Sequence, residues 1–128
     1  MILDTSAVVA IVFREEGYED PAGKLARAEQ VGIGSPTLVE SGIVITARFK
    51  KDARGVLARF LSENGVRIVP FSEGHFSLAM EAWMRYGKGR HSARLNFGDC
   101  LSFATAKMAR TALLCVGEDF RKTDILIA

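Results

Sequence analysis

Short apolar runs alternate along the chain with longer segments of helical periodicity. Four runs are typical of strands buried on both faces, at residues 1–3, 30–34, 66–71 and 111–116, and residues 125–127 are expected to add an edge strand. No hairpin turn joins consecutive runs. The pattern therefore predicts an α/β fold with a parallel sheet covered by helices on both faces.

Polar residues mark the start of several predicted helices. The helices are expected at residues 7–13, 18–29, 36–50, 51–64 and 97–110, with a further helix after residue 72. Serine, threonine and asparagine favour the position before a helix because their side chains accept hydrogen bonds from its free backbone N–H groups. We expect such caps at Thr5 or Ser6, at Ser35, at Ser72 and at Asn96.

Length and composition indicate one compact domain. Of the 128 residues, 48% are apolar and 25% are charged, which allows a sizeable core within a single domain over residues 1–128. No apolar stretch approaches the ~20 residues that span a membrane. Asp4 interrupts the N-terminal apolar run, which also lacks the basic region of a signal peptide. We therefore expect a cytoplasmic protein in which Cys100 and Cys115 are reduced.

Four acidic residues lie at positions where α/β folds commonly place their functional sites. Asp4 and Asp119 follow predicted strands, whereas Glu40 and Asp99 lie in the N-terminal halves of predicted helices. Strand carboxyl ends and helix N-termini share one edge of a parallel sheet, where ligands bind. Asp4 also has an interpretation as a helix cap, and Asp99 as the partner of Asn96 in a capping box. Glu40 has no basic residue one helical turn away.

The predicted convergence of carboxylates indicates a metal site. Each negative charge raises the pKa of its neighbours, so the cluster would repel itself. A divalent cation relieves that repulsion, and a site made only of carboxylate oxygens suits Mg²⁺ or Mn²⁺. No histidine and cysteine cluster has zinc spacing. Because such a metal activates water and stabilises charge on a phosphodiester, the sequence predicts nuclease chemistry.

Four segments, in this order along the chain, carry a resemblance to known proteins. They are Ile2-Leu3-Asp4-Thr5-Ser6-Ala7, Ser35-Pro36-Thr37-Leu38-Val39-Glu40, Leu95-Asn96-Phe97-Gly98-Asp99-Cys100 and Gly117-Glu118-Asp119-Phe120. Together they resemble the PIN-domain ribonucleases, and more narrowly the VapC-type toxins of bacterial toxin–antitoxin pairs. The resemblance covers essentially the whole chain. It implies a parallel sheet of four or five strands between helices, and a homodimer that binds a cognate antitoxin.

The same resemblance implies a Mg²⁺- or Mn²⁺-dependent endoribonuclease that hydrolyses RNA. Its cleavage site would be built from Asp4, Glu40, Asp99 and a fourth acid. Many relatives carry an aspartate or asparagine three residues before the phenylalanine that corresponds to Phe120, and here that position is Gly117. Among the acids nearby, we choose Asp119 over Asp124 as the fourth member.

Roles follow within this resemblance. Asp4 and Asp99 are the expected direct metal ligands, and Asp119 would complete a second, weaker site. Glu40 either binds metal or holds the attacking water. Thr5 and the serine after it either position a water or phosphate oxygen, or simply cap the first helix.

A basic stretch leads into Asp99. Residues 82–98 contain no acid and include Lys88, Arg90 and Arg94. These side chains either contact RNA phosphates or form a solvated loop, and both interpretations stay open. The second candidate function is a non-catalytic PIN-like module that binds RNA or protein.

Overall fold

The sheet is built from four short parallel strands. In the computed structural model, which describes all 128 residues, these are β1 (Ile2–Leu3), β2 (Val31–Gly34), β3 (Val66–Val69) and β4 (Leu113–Leu114). Their order across the sheet is β3-β2-β1-β4, and every neighbouring pair is parallel. The predicted α/β fold is confirmed, and β1 lies between β2 and β4.

Helices occupy every crossover between the strands. They are α1 (Thr5–Phe13), α2 (Glu19–Arg27), α3 (Ser35–Phe49), α4 (Arg54–Glu63), α5 (Glu73–Tyr86) and α6 (Phe97–Ala109), and a 3-10 helix (Asp119–Lys122) follows β4. Parallel strands require such long connections, because the chain must return to the same end of the sheet. None of these helices has the length and apolar character needed to cross a membrane.

Adjacent residues of β1 face opposite sides of the sheet, and this alternation divides the apolar core in two. Leu3 packs with residues of α1 to α4, including Ile45. Ile2 packs with residues of α5 and α6, including Phe103. The sheet is therefore sandwiched between two helical layers, as the sequence predicted.

The fifth strand expected at residues 125–127 does not form. Ile127 makes one isolated parallel bridge to Leu113. The segment pairs with the backbone of Leu113 alone, through Leu113 N to Leu126 O at 2.8 Å and Ala128 N to Leu113 O at 2.9 Å, so no regular ladder forms. The sheet consequently has four strands.

Two helices begin differently from the prediction. Asp4, rather than Thr5 or Ser6, caps α1, and its carboxylate accepts a hydrogen bond from the backbone N of Ser6. A carboxylate is the stronger acceptor for these N–H groups. Ser35 is the first residue of α3, and Gly34 occupies the cap position without a side-chain hydrogen bond. The proline after Ser35 has no N–H, so one donor fewer needs a cap.

The two most apolar helices differ in exposure. α1 is covered by its neighbours, and its Val8 and Val9 are buried. α3 instead leaves Val39 and Ile43 exposed by 62% and 65%. A cleft of about 710 Å³ runs between α3 and α4 beside this face. Of these two helices, only α3 therefore presents large exposed apolar side chains.

Candidate active site

The carboxyl ends of β1 and β4 open onto one crevice. From β1 the chain moves to β2 on one side of the sheet, and it reaches β4 on the other side only after α6. Such a change of direction creates a ligand crevice at the carboxyl edge of a parallel sheet. Asp4 directly follows β1, and Asp119 lies on the segment that follows β4.

Asp4 is buried and fixed by Ser6. Asp4 Oδ2 accepts hydrogen bonds from the backbone N of Ser6 at 3.0 Å and from Ser6 Oγ at 2.5 Å. Ser6 Oγ in turn accepts a hydrogen bond from the backbone N of Val116 at 3.0 Å, which ties Asp4 to the segment after β4. Oδ1 of Asp4 makes no hydrogen bond within the protein and is not sealed from solvent. That oxygen is available to a ligand.

Glu40 is half-buried on α3 and reaches across to α1 and α6. Thr5 Oγ1 donates a hydrogen bond to Glu40 Oε1. The carboxylate also lies against Gly98 in the first turn of α6. A Cβ built on Gly98 would lie 2.8 Å from Glu40 Cδ and 2.9 Å from Oε1. The missing side chain of Gly98 leaves the space that this carboxylate occupies.

Asp99 forms the predicted capping box at the start of α6. Its backbone N donates to Asn96 Oδ1 at 2.9 Å, and the backbone N of Asn96 donates to Asp99 Oδ2 at 3.0 Å. Burial, with smaller contributions from the charges of Asp4, Asp119 and Glu40, raises the pKa of Asp99 to about 6 despite the hydrogen bond from Asn96. The other three acids are therefore close enough to act on Asp99.

Asp119 and Asp124 lie in different environments. Asp119 is exposed at the start of the 3-10 helix, and its charge acts on Asp99. Asp124 Oδ2 lies 2.9 Å from Lys107 Nζ and 3.6 Å from Arg85 Nη1, and the hydrogen bond from Lys107 lowers the pKa of Asp124. Asp119 is thus close enough for its charge to act on Asp99, whereas Asp124 belongs to a separate ion-pair network.

The four acids carry negative charge that no basic side chain neutralises. None of the ion pairs in the structure includes Asp4, Glu40, Asp99 or Asp119. Their donor atoms are all carboxylate oxygens, which hard divalent cations prefer. No three acidic, histidine or cysteine side chains are gathered closely enough to hold a metal ion as they stand. The donor type and the negative charge of the four acids nevertheless fit a divalent cation.

Both cysteines are free, as predicted. Burial raises the pKa of Cys100 and of Cys115 to about 11. The negative charge of Asp99 adds to the shift at both thiols, and that of Asp4 at Cys115. Each side chain therefore stays a protonated thiol at neutral pH, a poor nucleophile and a poor metal ligand.

Residues 87–96 of the basic stretch form the loop between α5 and α6. Lys88, Arg90 and Arg94 are exposed, and none of them joins an ion pair. Lys88 also lines an apolar cavity of about 690 Å³ beside Phe97, whose side chain is 80% exposed. The charges of the loop are available to an external anion, and their contact with RNA stays a prediction.

Sequence reasoning missed two features of this crevice. Gly98 carried a signal, because glycine in the first turn of a predicted helix is disfavoured by helix propensity and needs another reason. No feature of the sequence indicates the hydrogen-bonded link from Asp4 through Ser6 to Val116. It joins residues separated by 110 positions in the chain.

Comparison with known proteins assigns the family. A family model described as "PIN domain" matches residues 1–126, and the chain belongs to the PIN-domain family. It is 45% identical to ribonuclease VapC36 of Mycobacterium tuberculosis over 98% of this chain and 91% of the relative. It is 39% identical to ribonuclease VapC of Mycolicibacterium smegmatis over 98% of this chain and 97% of the relative. The resemblance to VapC-type ribonucleases is confirmed.

Solved structures share the fold at lower sequence identity. VapC20 of Mycobacterium tuberculosis, described as a sarcin-ricin loop cleaving toxin, matches with a TM-score of 0.77 and 19% identity, covering 99% of this chain and 97% of that one. A toxin–antitoxin complex from Klebsiella pneumoniae matches with a TM-score of 0.71 and 19% identity, covering 99% and 95%. These likenesses concern the arrangement of the sheet and helices.

Proposed function

We propose that this protein is the endoribonuclease toxin of a toxin–antitoxin pair and hydrolyses RNA at the crevice between β1 and β4. The observation that carries the proposal is the group of four carboxylates without a basic partner at that crevice. Unpaired carboxylates in proximity destabilise a fold unless a cation offsets them. The similarity to VapC ribonucleases supports RNA as the substrate.

The cation would be held by Asp4, Glu40, Asp99 and Asp119. PIN-domain ribonucleases of the VapC type depend on a divalent metal. For this chain we infer Mg²⁺ or Mn²⁺, because every donor in the cluster is a hard oxygen. When bound, such a cation polarises the scissile phosphate and lowers the pKa of water.

The protein groups around the crevice orient the reacting parts. Ser6 fixes the buried carboxylate of Asp4 with one oxygen left for a ligand. Thr5 fixes Glu40, which either binds the cation or orients the attacking water. Asp99 is held by the first turn of α6. Three of the four carboxylates are therefore restrained by hydrogen bonds before substrate arrives, which lowers the entropic part of the barrier.

The basic loop supplies positive charge that can offset the repulsion between the acidic site and RNA. A cluster of negative charge repels a polyanionic substrate, so productive binding needs positive charge nearby. Lys88, Arg90 and Arg94 are exposed and free of ion pairs. We infer that they contact RNA phosphates beside the crevice.

The uncovered apolar face of α3 supports protein partners. Val39 and Ile43 are exposed, and the adjoining cleft is lined by Leu57 and Leu61 of α4. Exposed large apolar side chains that adjoin an apolar cleft are a feature of protein interaction sites. We infer a homodimer that also binds a cognate antitoxin, acting in the cytoplasm on its RNA. One structure of similar fold is a toxin–antitoxin complex.

The proposal is tested with purified protein and a structured RNA. Cleavage should require Mg²⁺ or Mn²⁺, stop in excess EDTA, and disappear in Asp4→Asn prepared in parallel. Cleavage by the wild type that persists in EDTA, with the variant preparation inactive, would contradict the metal-dependent mechanism. RNA binding without cleavage under any divalent metal would favour the non-catalytic PIN-like module instead.

A further inference from the structure

Gly98 is a glycine that the backbone does not require. It is the second residue of α6 and does not adopt the left-handed conformation that favours glycine. Alanine is the better helix former, because glycine loses more backbone freedom on folding. The reason for glycine at this position must therefore be space.

That space holds the carboxylate of Glu40. A Cβ on Gly98 would lie 2.8 Å from Glu40 Cδ and 2.9 Å from Oε1, closer than real Cβ contacts come. Every nearest neighbour of the added atom belongs to Glu40. A side chain at position 98 and the observed position of Glu40 therefore exclude each other.

The carboxylate of Glu40 is the part that would move. The first turn of α6 is fixed by the reciprocal hydrogen bonds of Asn96 and Asp99. α3 is anchored by Ile45, which is fully buried. Glu40 instead ends in a flexible side chain whose only hydrogen bond comes from Thr5. An added methyl group displaces the carboxylate and leaves both helices in place.

We propose that Gly98 is a positioning residue of the cleavage site, because its missing side chain sets where Glu40 stands beside Thr5 and Asp99. The inference rests on the proposed function for its catalytic consequence. The statement that Gly98 sets the position of Glu40 does not rest on that function, since it concerns only the place of one carboxylate. Gly98 touches no substrate and acts through Glu40.

The test compares Gly98→Ala with a matched control, Gly55→Ala. Gly55 is the second residue of α4, as Gly98 is of α6, and a Cβ there meets nothing within 4 Å. Both variants should melt in EDTA at or above the wild-type temperature. Gly98→Ala alone should lose most of the Mn²⁺-induced rise in melting temperature and about tenfold to hundredfold in cleavage rate, the scale expected for a misplaced group.

Two further measurements separate positioning from a structural effect. In a Glu40→Ala background, adding Gly98→Ala should change neither Mn²⁺ response nor cleavage, because the two positions act as one. Crystal structures of the wild type and Gly98→Ala should show Glu40 displaced and its hydrogen bond from Thr5 lost, with α6 unmoved.

The outcomes distinguish this inference from the proposed function. A Gly98→Ala protein with the wild-type Mn²⁺ response, or with Glu40 in its original place, overturns the inference. A wild-type protein that neither responds to Mn²⁺ nor cleaves RNA overturns the proposed function. In that case the position of Glu40 in the two crystal structures still decides the role of Gly98.

Discussion

Replacing Asp99 with asparagine separates the charge of the acidic cluster from its shape. The amide keeps an oxygen that can accept the hydrogen bond from the backbone N of Asn96, and asparagine is tolerated in a first turn. The substitution removes one of the negative charges that crowd the crevice. Without metal at neutral pH, we therefore expect Asp99→Asn to be more stable than the wild type, with cleavage and metal-induced stabilisation both reduced.

The size of the effect follows from the pKa of Asp99. Its pKa in the folded protein is about 6, against a usual value of 3.8. At about 1.36 kcal/mol per pKa unit, this shift corresponds to a loss of folding stability of at most about 3 kcal/mol in the wild type. Asp99 is only half-buried, and solvent screening reduces the expected gain to about 1 kcal/mol. For a domain of this size the gain corresponds to a rise in Tm of about 3–5 °C.

The gain has a defined pH dependence. Because folding raises the pKa of Asp99, the ionised carboxylate lowers the free energy of unfolding of the wild type by its full amount above about pH 6. The penalty disappears as the pH falls towards 3.8, where the folded and unfolded proteins both take up the proton. The stability difference between Asp99→Asn and the wild type in EDTA should therefore shrink between about pH 7.5 and about pH 4.

Unfolding by heat and by urea in EDTA, repeated with Mn²⁺, measures both parts of this prediction. Glu73→Gln is the matched control, because Glu73 is exposed in the first turn of α5. It should lose only a helix-dipole contribution of roughly 0.3–1 kcal/mol. If Asp99→Asn is less stable than the wild type in EDTA yet keeps the full metal response, Asp99 is a helix cap and the reasoning is refuted.

Three other changes test the loop, the apolar face and the core. Alanine at Lys88, Arg90 and Arg94 should weaken RNA binding and reduce its log–log salt slope by about 2, with Tm unchanged; an unaltered slope would leave only a solvated loop. Ile43→Asp should turn the homodimer into a monomer in light scattering, whereas a monomeric wild type at tens of micromolar would contradict the dimer. Ile45→Ala should lower the free energy of unfolding by about 2–5 kcal/mol, and an unchanged urea midpoint would disprove its role in packing.

Features decided within one helical turn could be predicted from the sequence. Ser72 and Asn96 are the caps of α5 and α6, as their residue types and neighbours indicated. At α1 the cap expected at Thr5 or Ser6 was wrong and the interpretation of Asp4 as the cap is confirmed, because a carboxylate is the stronger acceptor for the same N–H groups. The strand expected at Ile127 did not form because its segment pairs with the backbone of Leu113 alone, a tertiary contact that the local pattern does not determine.

The gathering of the acids followed from topology, whereas their contacts did not. Strand ends and helix N-termini of a parallel sheet share one edge, which predicts that Asp4, Glu40 and Asp99 lie together. The hydrogen bond from Thr5 to Glu40 joins α1 to α3. The sequence of either helix alone does not determine how the two helices pack. Asp119 remains the acid whose role in the site the sequence least determines, because it lies on a short 3-10 segment.

Glu40 and Asp99 belong to opposite layers of the divided core. α3 packs on the side of Leu3, and α6 packs on the side of Ile2. The distance between the two carboxylates therefore depends on the relative position of the two helical layers on either side of the sheet. A relative displacement of the two layers would therefore change the spacing of Glu40 and Asp99, and with it the proposed cation site.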